Sequence, residues 1–257
     1  MKKSNIILYG GLAFTIIAGI SVAAYFRSIT NKIFTTETCA QLPRTSKSVQ
    51  LQFEKVKISD NINVTLLQGD FELEIDAVEA VIPFVNHHVH DGQLELYLED
   101  GDYQPCPVYI NMSCPQLSRL SIGNGSSVIC KSKFVTPNIF IETMDGAHAE
   151  LNLISEKVTA KAVNSSDLQL SGKMTMIDMR ASNSARIQAS NAIVNRATIS
   201  LSNSSSAKVN ADTIHSASLT NSSSLEYIGQ TVLGAMNINN SSSIKMIAAS
   251  ELDLIVD

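Results

Sequence analysis

His87, His88 and His90, followed by Asp91 and Gly92, form the one histidine cluster of this 257-residue chain. Imidazoles ligate zinc and copper, so any metal chemistry would start here. In an extended segment alternate residues face opposite sides, so His88 and His90 could share a face and His87 could not. No further Cys or His stands at ligand spacing, which makes a surface loop leading into Gln93 the expectation, with no metal and no cofactor. His148 and His215 have no evident carboxylate partner. Proton abstraction of the kind lyases and hydrolases perform needs acids and cations gathered on one face. Between residues 159 and 250 the acids are Asp167, Asp178, Asp212 and Glu226, and they recur at no one repeat position. Lys173, Arg180, Arg186 and Arg196 are similarly scattered. A serine without a base and an oxyanion hole is a turn residue rather than a nucleophile. No nucleophile elbow, phosphate loop or dinucleotide fingerprint occurs, so the chain reads as a non-enzyme.

The residues that must position any chemistry belong to a repeat. A polar cassette, Asn followed by serines and then an apolar residue, begins at Asn124, Asp145, Asn164, Asn183, Asn203, Asn221 and Asn240, in steps of 21, 19, 19, 20, 18 and 19. A fixed period near 20 marks a solenoid whose units stack because none can bury its apolar face alone. Four residues into each cassette stand Val128, Ala149, Leu168, Ile187, Ala207, Leu225 and Ile244. Two further on stand Cys130, Leu151, Leu170, Ala189, Val209, Tyr227 and Met246. A spacing of two places both sets on one face of a strand. Upstream, Leu120 and Ile122, Ile199 and Leu201, and Met236 and Ile238 repeat that logic. Each unit reads as strand, Asn/Ser turn, strand and a return segment. The leucine-rich frame and the hexapeptide pattern are both absent, so the expectation is an all-β, right-handed parallel β-helix. Asn tolerates left-handed backbone and bonds locally, which predicts a structural turn ladder of Asn124, Asn164, Asn183, Asn203, Asn221 and Asn240. The sharper alternative is a binding surface that includes Ser205, Ser223 and Ser242, directed to a glycan or an envelope protein.

Lys2 and Lys3 precede an uncharged, largely apolar run from Ile6 to Phe26, then Arg27. At about 1.5 Å per residue the run can span a bilayer. It reads as a signal anchor, with a cleaved signal peptide as the alternative. The membrane is thus an expected partner through this segment, with the solenoid in the periplasm or at the cell surface. The organisation that follows is 1–27 as anchor or signal, 28–48 as a tether, 49–116 as an acidic first part and 117–257 as repeat rungs. From Leu51 to Pro115, twelve acids oppose Lys55 and Lys57. Glu72, Glu74 and Asp76 alternate with Phe71, Leu73 and Ile75, the outer face of an amphipathic strand. Such a surface excludes nucleic acid, which demands a basic patch. Of the four cysteines, Cys39 lies in the tether. Cys106 and Cys114, if the chain between them is extended, stand roughly 25 Å apart, beyond disulfide reach. A Cys114–Cys130 bond between adjacent rungs and a plain buried role for Cys130 both remain open.

Phe53 to Gly69, FEKVKISDNINVTLLQG, resembles the opening of the putative auto-transporter adhesin, head GIN domain family (DUF2807), in its apolar pattern, its Asn61-Ile62-Asn63-Val64 core and its Gln68-Gly69 turn. DGQLELYLED, then Cys106 to Ile122 with Pro115-Gln116-Leu117, and later Glu226-Tyr227-Ile228-Gly229, are similar to further strands and a late turn of that family. The chain departs from it in placing Ser where many turn glycines stand. The resemblance implies an exported right-handed β-helix of bacterial envelopes. No barrel-like run of strands follows the last rung, so self-export by an autotransporter barrel is not expected. An enzyme acting on carbohydrate and a self-assembling element are the competing readings.

Overall fold

In the computed structural model the described residues are 39, 41–99 and 106–248. They form seventeen strands and one short 3-10 turn, wound into a β-solenoid of about 7 turns. The first strands are β1 (Arg44–Val49), β2 (Lys55–Ile58), β3 (Ile62–Gln68), β4 (Glu72–Val78), β5 (Val85–His90), β6 (Gln93–Leu98) and β7 (Val108–Cys114). The repeat follows with β8 (Arg119–Ile122), β9 (Ser127–Val135), β10 (Asn138–Met144), β11 (His148–Val163), β12 (Asp167–Ser182), β13 (Arg186–Ser202) and β14 (Ser206–Thr220). β15 (Ser224–Ile228), β16 (Val232–Ile238) and β17 (Ser243–Ile247) complete the described part.

The repeats build two parallel walls, because each long strand bends midway. The first half of β11 pairs with β9 and its second half with β10. The halves of β14 likewise pair with β15 and β16. Wall 1 therefore holds β9, the first halves of β11 to β14, β15 and β17. Wall 2 holds β8, β10, the second halves and β16. The expected return segment is absent among the described rungs β11 to β14: the chain stays in strand from one cassette to the next, with register slips at the bend. Gly172 sits at that bend with φ +98°, where a Cβ would overlap the carbonyl oxygen of Leu153, so only glycine fits.

Alternation fixes what each wall buries. On wall 1, Val128, Ala149, Leu168, Ile187, Ala207 and Leu225 stack at no more than 3% exposure. On wall 2, Leu120, Ile141, Ala160, Met179, Ile199 and Ala217 stack in register and join the same core. The predominance of Ala and unbranched or aliphatic side chains suits the narrow gap between two sheets. The inner-face expectation fails only in the last rung, where Ile238 and Met246 are 38% and 57% exposed. No later rung among the described residues covers them.

Beyond β9, wall 1 continues through β3, β7, β4 and β1, while beyond β8, wall 2 continues through β2, β6 and β5. The rung of β6 and β7 thus lies outside the rung of β2 and β3, reversing their sequence order. β1, β4 and β5 pair antiparallel, which ends the parallel stack at this end. The acidic residues here face outward as expected, with Leu73, Ile75, Leu94 and Leu96 buried between them.

One expectation is corrected at this end, and one open pairing is found. The tether assigned to 28–48 gives up residues 44–48 to β1, an edge strand paired with β4; its exposed Ser, Thr and basic side chains look like linker composition in sequence. Cys39 is buried and bonded to Cys106 across 67 residues. The segment from Ile6 to Phe26 lies outside the described residues, among which no helix is long and apolar enough to cross a membrane.

Cys114 and Cys130 are buried and free. The bond between them that the sequence leaves open does not form, because β3 runs between β7 and β9. Burial pushes the Cys114 thiol up to about 12, with the Cys130 charge adding to it, and burial raises Cys130 too. Thiolate is the reactive form, so the native protein at pH 8 is expected to take up no maleimide. Denaturation without reductant should add two labels and reduction two more, as intact mass would show. Rapid labelling of the native protein would contradict this burial.

Candidate functional site

The cassettes form one corner of the solenoid, where the Asn amides and the buried hydroxyls are spent on the fold and the exposed hydroxyls of Ser165, Ser184, Ser204, Ser222 and Ser241 make no side-chain bond among the described residues. The first two residues of every cassette are left-handed, from Asn124 and Gly125 (φ 48° and 70°) to Asn240 and Ser241 (φ 52° and 60°). Asn and Gly tolerate that region and Ser less so. From Gly125 to Ser222 each second cassette residue donates its N–H to the next rung, as Ser184 does to Asn203 O at 2.9 Å. The side-chain amides donate in the opposite direction. Asn240 Nδ2 bonds Asn221 Oδ1, Asn221 bonds Asn203, Asn203 bonds Asn183 and Asn183 bonds Asn164, all at 2.9–3.0 Å. Asn164 ends this run on the Asp145 carboxylate at 2.8 Å, and Asn124 bonds Asp60 at 2.9 Å.

The structure moves Ser205 and Ser223 away from the binding role read for them with Ser242. Both are 1% exposed. Ser205 Oγ donates to Ala181 O at 2.9 Å and accepts from Ser202 N–H at 3.0 Å. Ser223 Oγ donates to Thr220 O, and the half-buried Ser242 accepts the N–H of Ser223. The third position of the first six cassettes holds Ser126, Ala147, Ser166, Ala185, Ser205 and Ser223, all buried. That restriction to Ser or Ala was the sequence signal for burial. Ser205→Ala leaves a part-buried N–H and a buried C=O without their partner, so a loss of about 1–3 kcal/mol is expected in denaturant unfolding. An unchanged midpoint would show that the hydroxyl contributes nothing.

The outer face of wall 1 differs. His148, Asp167, Arg186, Ser206, Ser224 and Ser243 align in one column, and Glu150, Gln169, Gln188, Lys208, Glu226 and Lys245 in the next. The carboxylate partner that the sequence did not reveal for His148 is Asp167, with Nδ1 to Oδ2 at 3.1 Å. Gln169 Nε2 donates to the same oxygen at 2.9 Å, while Asp167 Oδ1 is buried without a partner, the one such side-chain atom among the described residues. Lys208 and Glu226 stand 3.9 Å apart. Among the described residues the side chains of Glu150, Arg186, Gln188 and Asn191 make no hydrogen bond or ion pair. Two shallow depressions of about 110 and 190 Å³ meet at Gln188. The first is lined by Glu150, Gln169 and Asn191, the second by Arg186, Lys208 and Glu226.

Ser127 is the register neighbour of His148, so Ser127, His148 and Asp167 follow one another across three rungs. The order suggests a nucleophile, a base and its orienting acid. The geometry is not assembled that way. Ser127 Oγ donates to Asn63 Oδ1 at 2.9 Å, and no Ser127–His148 bond exists among the described residues. Neighbouring N–H groups such as those of His148 and Asp167 bond Ser126 O and Ala147 O, which leaves neither for an oxyanion.

Wall 2 holds both paired and unpaired charges, with Lys157 and Arg196 in no ion pair among the described residues. Lys161 bonds Glu142 at 2.7 Å, Arg180 bonds Asp178 at 2.6 Å and Arg119 lies over the Phe140 ring at 4.2 Å. His87, His88 and His90 lie on strand β5 rather than in the expected loop. His88 faces Glu95 at 3.4 Å and His90 faces Asp91 at 3.2 Å, whereas His87 Nδ1 lies 2.9 Å from Val85 O. Among the described residues no three metal-ligating side chains converge.

The family model described as "Putative auto-transporter adhesin, head GIN domain" matches residues 52–231. Solved structures share the fold. A "putative adhesin" from Bacteroides fragilis superposes with a TM-score of 0.71 at 18% identity, covering 80% of this chain and 97% of the other. A "putative adhesin" from Parabacteroides distasonis gives 0.66 at 16% identity, over 80% and 98%. One from Parabacteroides merdae gives 0.63 at 14% identity, over 79% and 96%. Among curated proteins none matches the sequence.

Proposed function

Since the chain belongs to the putative auto-transporter adhesin, head GIN domain family, we propose that it is an adhesion module outside the cytoplasm that holds its partner by wall 1 without chemical turnover. The observation that carries this reading is the division of polar groups. The Asn amides of the corner bond one another and its buried hydroxyls bond backbone, which leaves it only an uncharged row of serine hydroxyls, whereas wall 1 offers an acid, a guanidinium and two amides, Glu150, Arg186, Gln188 and Asn191, free to bond a partner. The coil is right-handed, as the family resemblance implies, and residues 6–26 anchor it or direct its export. The Cys39–Cys106 bond supports an oxidising compartment. A glycan or an envelope protein is the partner; nucleic acid is unsuited, because the chain is net acidic, with 24 Asp and Glu against 19 Lys and Arg.

A flat polar wall binds through many weak bonds, so density matters. Full-length protein in single-copy nanodiscs is expected to bind envelope fragments weakly. The same protein crowded on beads should retain them about 100-fold better or more. Equal retention in the two formats would remove the adhesion reading. Polysaccharide cleavage by the purified chain, lost in His148→Ala, would replace it with an enzyme.

A further inference from the structure

We infer that the paired depressions meeting at Gln188 are a subsite for an acidic saccharide, with its carboxylate on Arg186 and its hydroxyls on Gln188, Gln169 and Asn191. The inference rests on the adhesion reading and deepens it by naming a ligand chemistry.

Three observations favour a sugar over a peptide or a lipid. First, the backbone of wall 1 is saturated by parallel pairing on both sides of β12 and β13, so an extended peptide cannot add to this face as a strand. Second, the apolar side chains that line the two depressions, Leu170 and Ala207, are buried, and the exposed Met176 and Ile193 of β12 and β13 line neither depression. A peptide would find no pocket for an anchor residue, and an acyl chain no apolar floor. Third, the available groups are planar amides, each with a donor and an acceptor. Two of them, Gln169 and Gln188, are register neighbours at the rung spacing of about 4.8 Å, which suits adjacent hydroxyl-bearing rings.

The requirement for a carboxylate comes from Arg186. Its register neighbours are Asp167 and Ser206, yet it pairs with no acid among the described residues, since Asp167 Oδ2 is held by His148 and Gln169. Lys208, beside it in the same depression, is partly offset by Glu226 at 3.9 Å. A guanidinium presents a fork that matches a carboxylate with two parallel bonds. The free acid Glu150 lies in the other depression, so a polymer charged at every ring is disfavoured, and an acidic sugar flanked by neutral ones fits.

The test uses the full-length protein in detergent micelles. The probes are a short neutral oligosaccharide carrying one uronic acid, the same molecule as its methyl ester, inorganic phosphate and an acidic peptide. Titration calorimetry is expected to show the free acid bound about tenfold tighter than the ester, the size of one charge-assisted bond at a surface. Arg186→Gln should remove that preference and leave the melting curve unchanged. Arg180→Gln on wall 2 should alter neither. Equal binding of acid and ester, no binding of the acid, or a preference that survives Arg186→Gln would each overturn the subsite. So would Arg186-dependent binding of phosphate or of the peptide without the saccharide. Adherence of crowded beads that persists while the acid fails to bind discards the subsite alone; loss of bead adherence by the parent discards the adhesion reading itself.

Discussion

Ile187→Asp is expected to lower stability by about 4 kcal/mol or more, the upper range for a single substitution. Ile187 is fully buried on wall 1, in register with Leu168 on one side and Ala207 on the other. The change removes an apolar side chain, worth about 1.5–3 kcal/mol of burial. It also places a carboxylate where no donor or cation waits, and a buried charge without a partner costs several kcal/mol more or is driven to protonate. The next residue is the control. Gln188 points outward, so Gln188→Asp should move the unfolding midpoint by less than about 0.5 kcal/mol. Equal losses at the two positions would refute the alternation from which the core is read.

Removal of the Cys39–Cys106 bond is expected to rank second. The bridge closes 67 residues, for which the loop-entropy relation gives about 4 kcal/mol. It joins the approach to β1 with the approach to β7, across the antiparallel strand β4 that lies between them. Solenoid stability is largely nearest-neighbour in character, so the loss should concentrate at this end. Cys39→Ser should speed amide exchange in β1 and β4 far more than in β13, and reductant should do the same to the parent. Uniform protection with and without the bond would contradict this role. For the same reason a fragment starting at residue 49 would lack both β1 and the bridge.

The period of the cassettes made most of the repeat legible, since side-chain alternation on both sides of a left-handed Asn leaves few ways to bury Leu168, Ile187 and Ile199. The first rungs were not legible in their spatial order, because the acidic strands from Glu72 to Leu98 carry no cassette to count from. The bend was hidden as well. A strand that stays paired through Gly172 needs no polar return segment, so composition does not mark it. At the site, the approach of His148 to Asp167 depends on a step of 19 residues holding true between those two rungs, whereas the neighbouring steps vary and slip at bends. Burial of these serines is hard to see in the sequence because Ser is ordinarily a surface residue. Only its exchange with Ala at the third cassette position shows that it must be small.

The most direct test of the account asks which face holds the partner. The native thiols are buried, so a single introduced cysteine can carry a bulky maleimide-polyethylene glycol at Gln188→Cys on wall 1, Ser200→Cys on wall 2 or Ser184→Cys at the corner. Retention of envelope fragments by the crowded beads is then measured for each adduct. The account predicts that the adduct at position 188 abolishes retention while those at 200 and 184 leave it near the parent level. Retention that survives the adduct at 188, or is lost only with the adduct at 184, would contradict it and return the binding role to the Asn/Ser corner.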